Sequence, residues 1–284
     1  MDDLLKHQLV IRLIDLAFAE DIGEGDHTSL ACIPLSTQGK SVIVAKEPGI
    51  IAGLKLAEYI FNKLDPELKV IANFMDGASV HPGDVVMEIQ GSSISMLTAE
   101  RTVLNFMQRL SGIATQTALY VNELKGLQTR ILDTRKTTPG MRLLEKWAVK
   151  VGGGENHRMG LYDMILIKDN HVDFAGGIQQ AIKNVQTYLK TNGLNLQIEI
   201  ETRTFEEIKQ VMETGGVHRI MFDNFSPENL AKGVSMLNGL FETEASGGIT
   251  LQTLRAYALS GVDFISSGAL THSVKSLDLS MRAG

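Results

Sequence analysis

The sequence predicts an α/β protein in which a strand-rich N-terminal module precedes a parallel barrel, or a barrel-like closure, of βα units. Between residues 40 and 91, β-branched runs are broken by Pro-Gly, Asp-Gly and Gly-Asp turns. After residue 126, short apolar runs alternate with amphipathic segments, which is typical of a parallel sheet. Six such runs in about 150 residues favour a barrel over an open doubly wound sheet, although alternation alone leaves both architectures open.

The N-terminal part is predicted to contain three helices in addition to its strands. Apolar residues at helical spacing predict an amphipathic helix that begins near Leu4 and ends near Gly23. The segment LKLAEYIFNKL predicts a second helix, and residues 96–125 predict a third that is interrupted at Ser111 and Gly112. We place a domain boundary at this interruption, so that residues 1–112 form the first domain and 113–274 the second.

The second domain contains six predicted strands, each an apolar run of four to six residues. Helical segments such as GIQQAIKNVQTYLK and TFEEIKQVME lie between most of them. The predicted strands span residues 130–134, 164–168, 196–201, 219–223, 240–245 and 263–267.

Composition excludes several classes of protein. The 284 residues include 27 basic and 33 acidic side chains, a net charge of -6, which argues against a general nucleic-acid binder or a membrane-surface protein. No apolar run approaches the roughly 18 residues of a membrane span, and the acidic start MDDLLKHQ does not resemble a signal peptide. The single cysteine, Cys32, excludes an internal disulfide and fits a reducing compartment. We therefore expect a cytoplasmic enzyme or binding protein.

Polar residues cluster where the predicted strands end. In parallel βα architectures the carboxyl ends of the strands converge around one crevice, so these residues are candidates for an active site. The candidates are Arg135, Lys136, Lys168, Asp169, Asn170, His171, Glu201, Asp223, Asn224, Ser246, Gly247, Gly248, Ser266, Ser267 and Gly268.

The chemistry of these candidates divides by strand. Arginine and lysine suit an anionic substrate, and arginine in particular holds a carboxylate through two parallel hydrogen bonds. Glu201 and Asp223 are oxygen donors that suit Mg²⁺, held directly or through water. Ser-Gly-Gly and Ser-Ser-Gly turns ahead of helices expose backbone N–H groups to a phosphate. The site is therefore expected to bind something both carboxylated and phosphorylated.

The segment VGGGENHRMG lies between the first two strands of the second domain. Its three glycines allow the backbone to pass close to a ligand, and His157 and Arg158 follow at once. It matches neither a P-loop nor a dinucleotide fingerprint, and His157 and His171 lack zinc-ligand spacing. We interpret it as a segment that encloses substrate.

Six ordered motifs closely resemble the quinolinate phosphoribosyltransferase family over nearly the whole chain. They are AERTVLNFMQRLSGIAT, DTRKTTPGMR, KWAVKVGGGENHRMGLYDMILIKDNH, MFDNF, EASGGI and DFISSGALTHS. The resemblance implies transfer of phosphoribosyl from phosphoribosyl pyrophosphate to quinolinate, with release of pyrophosphate and CO₂ and formation of nicotinate mononucleotide for NAD synthesis. It also implies an N-terminal α/β sandwich, a C-terminal open parallel α/β barrel that is TIM-like but incomplete, and a last helix, 275–284, that packs back on the first domain.

The resemblance also assigns roles to residues around quinolinate. Arg101 is expected to reach a carboxylate from the neighbouring subunit of a homodimer or a dimer-built hexamer. Arg135, His157 and Arg158 are expected to hold the dicarboxylate, and Thr134 is included among the substrate-binding residues.

A second group is expected to act on the phosphorylated sugar. Lys136 and Lys168 would lie between the two anionic substrates, and Glu201 and Asp223 would bind the ribose hydroxyls and Mg²⁺. These four residues are the predicted catalytic groups. The 5-phosphate is expected to bind Ser246, Gly247, Gly248, Ser267 and Gly268.

Other functions are compatible with parts of the pattern. A related branch associated with molybdenum transport shares the fold, and a phosphoribosyltransferase for nicotinate or another pyridine carboxylate would need fewer cations around the base. A non-catalytic barrel that binds a phosphometabolite is the alternative from outside the enzymes. The complete DTRKTTPG and GGGENHR motifs favour the quinolinate reaction.

Overall fold

A computed structural model describes all residues, 1–284, and the chain divides into two compact units. The first unit comprises Met1–Ala118, Lys136–Gly153 and Leu270–Gly284, and the second comprises Leu119–Arg135 and Gly154–Ala269. Each unit combines segments that are distant in sequence, whereas the predicted domains 1–112 and 113–274 are continuous stretches. That division stays a prediction.

Twelve α-helices are present, and none is both long and apolar enough to cross a membrane. They are α1 (Asp2–Leu5), α2 (Gln8–Ile22), α3 (His27–Cys32), α4 (Leu54–Leu64), α5 (Ser93–Glu123), α6 (Arg142–Val151), α7 (Asp169–Ala175), α8 (Ile178–Asn192), α9 (Phe205–Thr214), α10 (Pro227–Leu237), α11 (Leu251–Ala258) and α12 (Ala269–His272).

Twelve strands complete the structure. They are β1 (Gln38–Ala45), β2 (Gly49–Ile50), β3 (Lys69–Ala72), β4 (Ser79–Val80), β5 (Val85–Ser92), β6 (Arg130–Leu132), β7 (Ile165–Ile167), β8 (Ile198–Thr202), β9 (Arg219–Asp223), β10 (Glu242–Ser246), β11 (Phe264–Ser266) and β12 (Leu279–Ala283).

The first unit contains an antiparallel sheet in the order β12-β1-β5-β3. The predicted helix over 275–284 is wrong, because β12 pairs with β1 from Ser41↔Ala283 to Ala45↔Leu279. A helix would leave the edge of β1 without backbone partners, whereas the strand satisfies them and buries Leu279. The C-terminal segment does return to the N-terminal sheet.

The predicted interruption at Ser111 and Gly112 is also wrong, because α5 runs unbroken from Ser93 to Glu123. The Ser111 hydroxyl accepts a hydrogen bond from the Ala52 N–H (2.9 Å) and donates one to the Ala52 carbonyl (3.1 Å). Gly112 lies where the C-terminal segment crosses the helix: a Cβ there would overlap the Lys275 carbonyl oxygen and lie 3.0 Å from the Ser276 Cα. Both residues therefore serve tertiary packing.

The second unit contains a six-stranded parallel sheet, which confirms the six predicted strands. Its order is β6-β11-β10-β9-β8-β7. Strands β7 to β11 therefore lie side by side in chain order, and each connection leads to the next strand in the same direction across the sheet. A doubly wound sheet would reverse direction at a switch point, and this sheet does not. Because β6 and β7 do not pair, the barrel is open.

One face of this sheet carries charged side chains that are completely buried. The register places Glu199 opposite Arg219, and Glu242 and Glu244 are two residues apart on the next strand, so all four project to the same side. Glu199 and Glu244 have no exposed surface, while the alternating residues Ile198, Ile200 and their neighbours form the apolar face. The interior of the open barrel is therefore polar.

Arg219 supplies the first counter-charge in this interior. Its guanidinium donates to Glu244 (3.0 Å) and Glu242 (3.0 Å) and lies 4.0 Å from the centroid of the Phe264 ring. Burial raises the pKa of Glu199 to about 7, and burial together with the charge of Glu199 raises the pKa of Glu244 to about 7. The two carboxyl groups therefore hold a proton in the folded protein at pH values where the unfolded chain would release it.

Replacing Gly112 by alanine should destabilise the first unit, although alanine favours helices over glycine by about 1 kcal/mol. The added methyl group must displace the backbone of the C-terminal segment, at a cost of about 1–3 kcal/mol in the free energy of unfolding. Urea denaturation measures the change. Asn105→Ala, at an exposed position on the same helix, is the control and should remain within about 0.5 kcal/mol of the unsubstituted protein. Equal stability of the Gly112→Ala protein would contradict the close crossing.

The raised pKa values of Glu199 and Glu244 predict that stability falls as the pH rises from about 5 to 8. A carboxyl group whose folded pKa is about 7 stabilises the folded state fully below its ordinary pKa, and this stabilisation is lost as the pH passes 7. Urea denaturation at pH 5.5 and 8 should show a smaller pH effect in Glu244→Gln than in the unsubstituted protein. Glu206→Gln, at an exposed helical position, should leave the profile unchanged. Identical profiles for all three proteins would exclude this assignment.

Candidate active site

The carboxyl ends of the six parallel strands bring most of the predicted site residues to one end of the second unit. This arrangement confirms that these residues follow or end strands, while their individual roles stay predictions. In strand order the residues are Thr134 and Arg135 after β6, Lys168 after β7, Glu201 in β8, Asp223 at the end of β9, Ser246 at the end of β10, and Ser267 after β11.

Two arginines form the cationic part of this site. Arg158 is only 9% exposed, and its Nη1 donates to the Met164 carbonyl oxygen (3.2 Å). Burial, and then the positive charge of Arg135, lowers the pKa of the Arg158 guanidinium below its usual value. Like charges in a partly desolvated position repel each other, and a bound anion would relieve the repulsion.

Asp133 positions the segment that carries Arg158. Its buried carboxylate accepts hydrogen bonds from Asn156 Nδ2 (2.5 Å) and the His157 N–H (2.9 Å). The backbone N–H of Asp133 donates to the Glu155 carbonyl (3.1 Å), and the N–H of Glu155 donates to Ile131 (2.9 Å). The GGGENHR segment thus runs along the free edge of β6. Sequence reasoning missed Asp133, although it begins the DTRK motif.

His157 is turned into the barrel, with a side chain only 7% exposed. Its Nδ1 accepts from the Arg158 N–H (2.7 Å), so the ring proton is assigned to Nε2. Nε2 lies 2.9 Å from a Glu199 carboxylate oxygen and 3.5 Å from one of Glu244. The predicted contact of His157 with a dicarboxylate stays a prediction; in the structure the ring joins the backbone of Arg158 to the buried glutamates.

The side chains of His157, Glu199 and Glu244 lie close enough to offer three ligand atoms within 4.8 Å of one another. Imidazole and carboxylate groups are common ligands of divalent cations. Here, however, Arg219 already pairs with Glu244, and the imidazole faces Glu199. Both carboxyl oxygens of Glu199 and one of Glu244 are nevertheless buried without a hydrogen-bond partner, so these contacts satisfy the cluster only in part.

Lys168, Glu201 and Asp223 form the second part of the site. Lys168 Nζ lies 3.0 Å from Glu201, whose side chain is 10% exposed. Asp223 accepts a hydrogen bond from Asn224 Nδ2 (2.9 Å). Glu201 and Asp223 lie on adjacent strands and project to the same side of the sheet. Their carboxylate oxygens are of the type that Mg²⁺ prefers, so these residues fit the predicted metal role.

The turn after β10 exposes backbone as expected of a phosphate site. Gly247 and Gly248 have φ angles of 98° and 63°, a region that side chains disfavour. A Cβ on Gly247 would also overlap the Asn224 amide oxygen. Ser267 is more tightly held than predicted: it is 5% exposed, and its N–H donates to the Leu132 carbonyl (3.0 Å). Its role and that of Gly268 stay predictions.

Two predicted site residues belong to the first unit. Arg101 is exposed on α5. Lys136 is also exposed, and its carbonyl oxygen accepts a hydrogen bond from Thr271 Oγ1 (2.8 Å). The division between the units falls between Arg135 and Lys136, so the two adjacent cations are assigned to different units.

Comparison with known proteins agrees with this geometry. Residues 26–111 match the family model described as quinolinate phosphoribosyl transferase, N-terminal domain, and residues 113–282 match the model of its C-terminal domain. A curated relative from Arabidopsis thaliana, described as a chloroplastic nicotinate-nucleotide pyrophosphorylase (carboxylating), is 50% identical over 285 aligned positions, which cover 95% of this chain and 81% of the relative.

Two further relatives extend the similarity to bacteria. A Bacillus subtilis protein described as a probable nicotinate-nucleotide pyrophosphorylase (carboxylating) is 44% identical, with 98% of this chain and 94% of the relative covered. The solved structure of the nicotinate-nucleotide pyrophosphorylase from Francisella tularensis superimposes with a TM-score of 0.92 at 38% identity, covering 97% of this chain and 96% of that one. This chain belongs to the quinolinate phosphoribosyltransferase family.

Proposed function

We propose that this protein transfers the phosphoribosyl group of phosphoribosyl pyrophosphate to quinolinate with decarboxylation. The products are nicotinate mononucleotide, pyrophosphate and CO₂, for use in NAD biosynthesis. The observation that carries the proposal is the placement of two arginines at the carboxyl end of a parallel sheet: Arg135 follows β6, and Arg158 is near enough for the charge of Arg135 to contribute to its lowered pKa. Two guanidinium groups suit a substrate with two carboxylates better than one with a single carboxylate.

Quinolinate would bind to cationic side chains that the protein already holds in position. The Arg158 guanidinium is held by its bond to the Met164 carbonyl and the Arg158 backbone by its bond to His157, so the side chain loses little freedom when a carboxylate binds. Lys168 is the more exposed cation, and its link to Glu201 keeps its ammonium group near the acidic part of the site. Quinolinate would thus be oriented before its ring nitrogen attacks the sugar. Fixing the two reacting groups in position in this way increases the rate of bond formation.

In the reaction, the ring nitrogen of quinolinate forms a bond to the anomeric carbon while the bond from that carbon to the pyrophosphate oxygen breaks. The electron pair of the broken bond leaves with pyrophosphate, and positive charge develops on the sugar. The carboxylates of Glu201 and Asp223 would stabilise this charge. After transfer, the pyridinium ring accepts the electron pair of the bond to the 2-carboxylate as CO₂ leaves, and the ring carbon then takes a proton.

Glu201 and Asp223 are also the residues that would hold Mg²⁺, directly or through water. When bound, this ion would offset the negative charge of pyrophosphate. Ser246, Gly247 and Gly248 would bind the 5-phosphate, because the two glycines adopt positive φ angles in a turn that precedes α11.

The remaining expectations belong to the same proposal. A second copy of the chain would contribute Arg101 to the quinolinate carboxylate, in a homodimer or a hexamer built from dimers; the exposure of Arg101 supports this role. Lys136 would contact the phosphorylated sugar. A cytoplasmic location fits the single cysteine, Cys32.

Purified protein incubated with quinolinate, phosphoribosyl pyrophosphate and Mg²⁺ should release CO₂ and pyrophosphate in equal amounts. Quinolinate labelled in its 2-carboxylate measures CO₂ directly, and chelation of Mg²⁺ should abolish the release. Nicotinate in place of quinolinate should give no product. Turnover with nicotinate alone would favour the monocarboxylate alternative, and ligand binding without any turnover would favour a non-catalytic barrel.

Arg135→Ala should raise the KM for quinolinate without unfolding the protein. Loss of one charged hydrogen-bond partner of a carboxylate costs about 2–4 kcal/mol, which corresponds to roughly 30- to 700-fold. Arg135→Lys should recover only part of the loss, because an ammonium group cannot donate two parallel bonds. Lys209→Ala, which removes an exposed cation on α9, is the control and should leave the KM unchanged. A thermal stability loss as large as the binding loss would indicate a structural role instead.

A further inference from the structure

A partly buried hydrogen-bond network in the first unit converges on the three residues Lys136–Thr138, which have no regular secondary structure. Its members come from distant parts of the chain: Arg109 from α5, Glu145 from α6 and Thr271 from α12. Glu145 and Thr271 have no exposed surface. A buried carboxylate is stable only when charge and hydrogen bonds compensate it, so the partners of Glu145 are informative.

Both oxygens of Glu145 are in use. Oε1 accepts from Arg109 Nε (3.1 Å) and Nη2 (2.8 Å), and Oε2 accepts from the backbone N–H of Thr138 (3.0 Å). Arg109 Nη2 also donates to the Thr271 carbonyl oxygen. Glu145 therefore ties the backbone at Thr138 to a guanidinium that is itself held by α12.

The other end of the three-residue segment, at Lys136, is also held by α12. Thr271 Oγ1 donates to the carbonyl oxygen of Lys136 at 2.8 Å. Beyond Thr138 the chain turns at Pro139 and Gly140, and Gly140 has a φ of 81°. The backbone from Lys136 to Thr138 is thus fixed at both ends by side chains that lie outside it in sequence.

We propose that Arg109, Glu145 and Thr271 are positioning residues that hold Lys136 in place for the sugar phosphate. This inference rests on the proposed function, in which Lys136 contacts the phosphorylated sugar. A lysine head lies at the end of a long flexible stem, and its position is therefore only as well defined as the backbone that carries it. A displacement of about 1 Å of such a group can cost about 100-fold in rate.

The substitution that isolates this role is Thr271→Val, which removes the hydroxyl donor to Lys136 and keeps the shape of the side chain. Thr117→Val is the matched control, because Thr117 is also fully buried and its hydroxyl donates to the Ile113 carbonyl (2.8 Å) in the same unit. Both variants lose one buried hydroxyl, so their thermal stabilities should fall by similar amounts.

Thr271→Val should lower kcat, or raise the KM for phosphoribosyl pyrophosphate, by about tenfold or more. The KM for quinolinate should stay within about twofold, because the lost bond is to the carbonyl of Lys136, whereas Arg135 and Arg158 are the residues proposed to hold quinolinate. Thr271→Ser, which restores the hydroxyl, should recover activity to within about threefold. Thr117→Val should keep both kinetic constants. Glu145→Gln should reproduce the pattern of Thr271→Val, since it replaces one acceptor of the network by a donor.

Three results would overturn the inference, and the first two leave the proposed function standing. If the unsubstituted protein turns over and Thr271→Val retains the kinetics of Thr117→Val, the network only stabilises the fold, and the proposed function stands. If Thr271→Ser fails to recover activity although it folds, the hydroxyl bond to Lys136 is not the cause of the loss. Absence of turnover in the unsubstituted protein would remove the proposed function and this inference together.

Discussion

The arrangement of the second unit depends on one constraint, that the carboxyl groups of Glu199 and Glu244 are completely buried, where ionisation is costly unless polar neighbours offset it. Arg219 pairs with Glu244 at the base, and the imidazole of His157 lies against both glutamates. Because the same imidazole accepts from the backbone N–H of Arg158, His157 connects the buried glutamates of β8 and β10 to a predicted substrate-binding residue. Apolar residues at these two positions would leave the imidazole of His157 without its buried polar neighbours.

The open barrel provides the second anchor for the same segment. A strand edge with unpaired backbone groups is unfavourable unless something covers it. Between β6 and β7 no strand pair closes the sheet, and the backbone of Glu155 satisfies part of the β6 edge. Asp133 then binds the next two residues through its buried carboxylate. The gap between β6 and β7 therefore provides the place where residues 155–157 dock on the sheet.

The local sequence pattern was sufficient to predict the six strands of the second unit. In a parallel sheet covered by helices, strands and helices alternate along the chain, and each has its own spacing of apolar residues. The local pattern failed where a distant segment decides the structure. Leu279–Ala283 is a strand only because β1 lies beside it, more than two hundred residues earlier. Gly112 resembles a helix breaker, but it permits a crossing by Lys275 and Ser276. The buried charges left a readable signal, the alternation of charged and β-branched residues in IEIET and ETEAS, which indicates a polar barrel interior.

The adjacent cations of the DTRK motif, Arg135 and Lys136, are unusual neighbours in a protein with a net charge of -6. The two cations have separate supports. The segment of Arg135 begins at Asp133, which is bound to the GGGENHR segment, whereas Lys136 is held through Thr271 and, by way of Arg109, through Glu145. Each support contains a buried carboxylate whose hydrogen bonds go to backbone N–H groups as well as to side chains. Two neighbouring residues anchored in this way can be directed to different anions, which one rigid turn could not do for both.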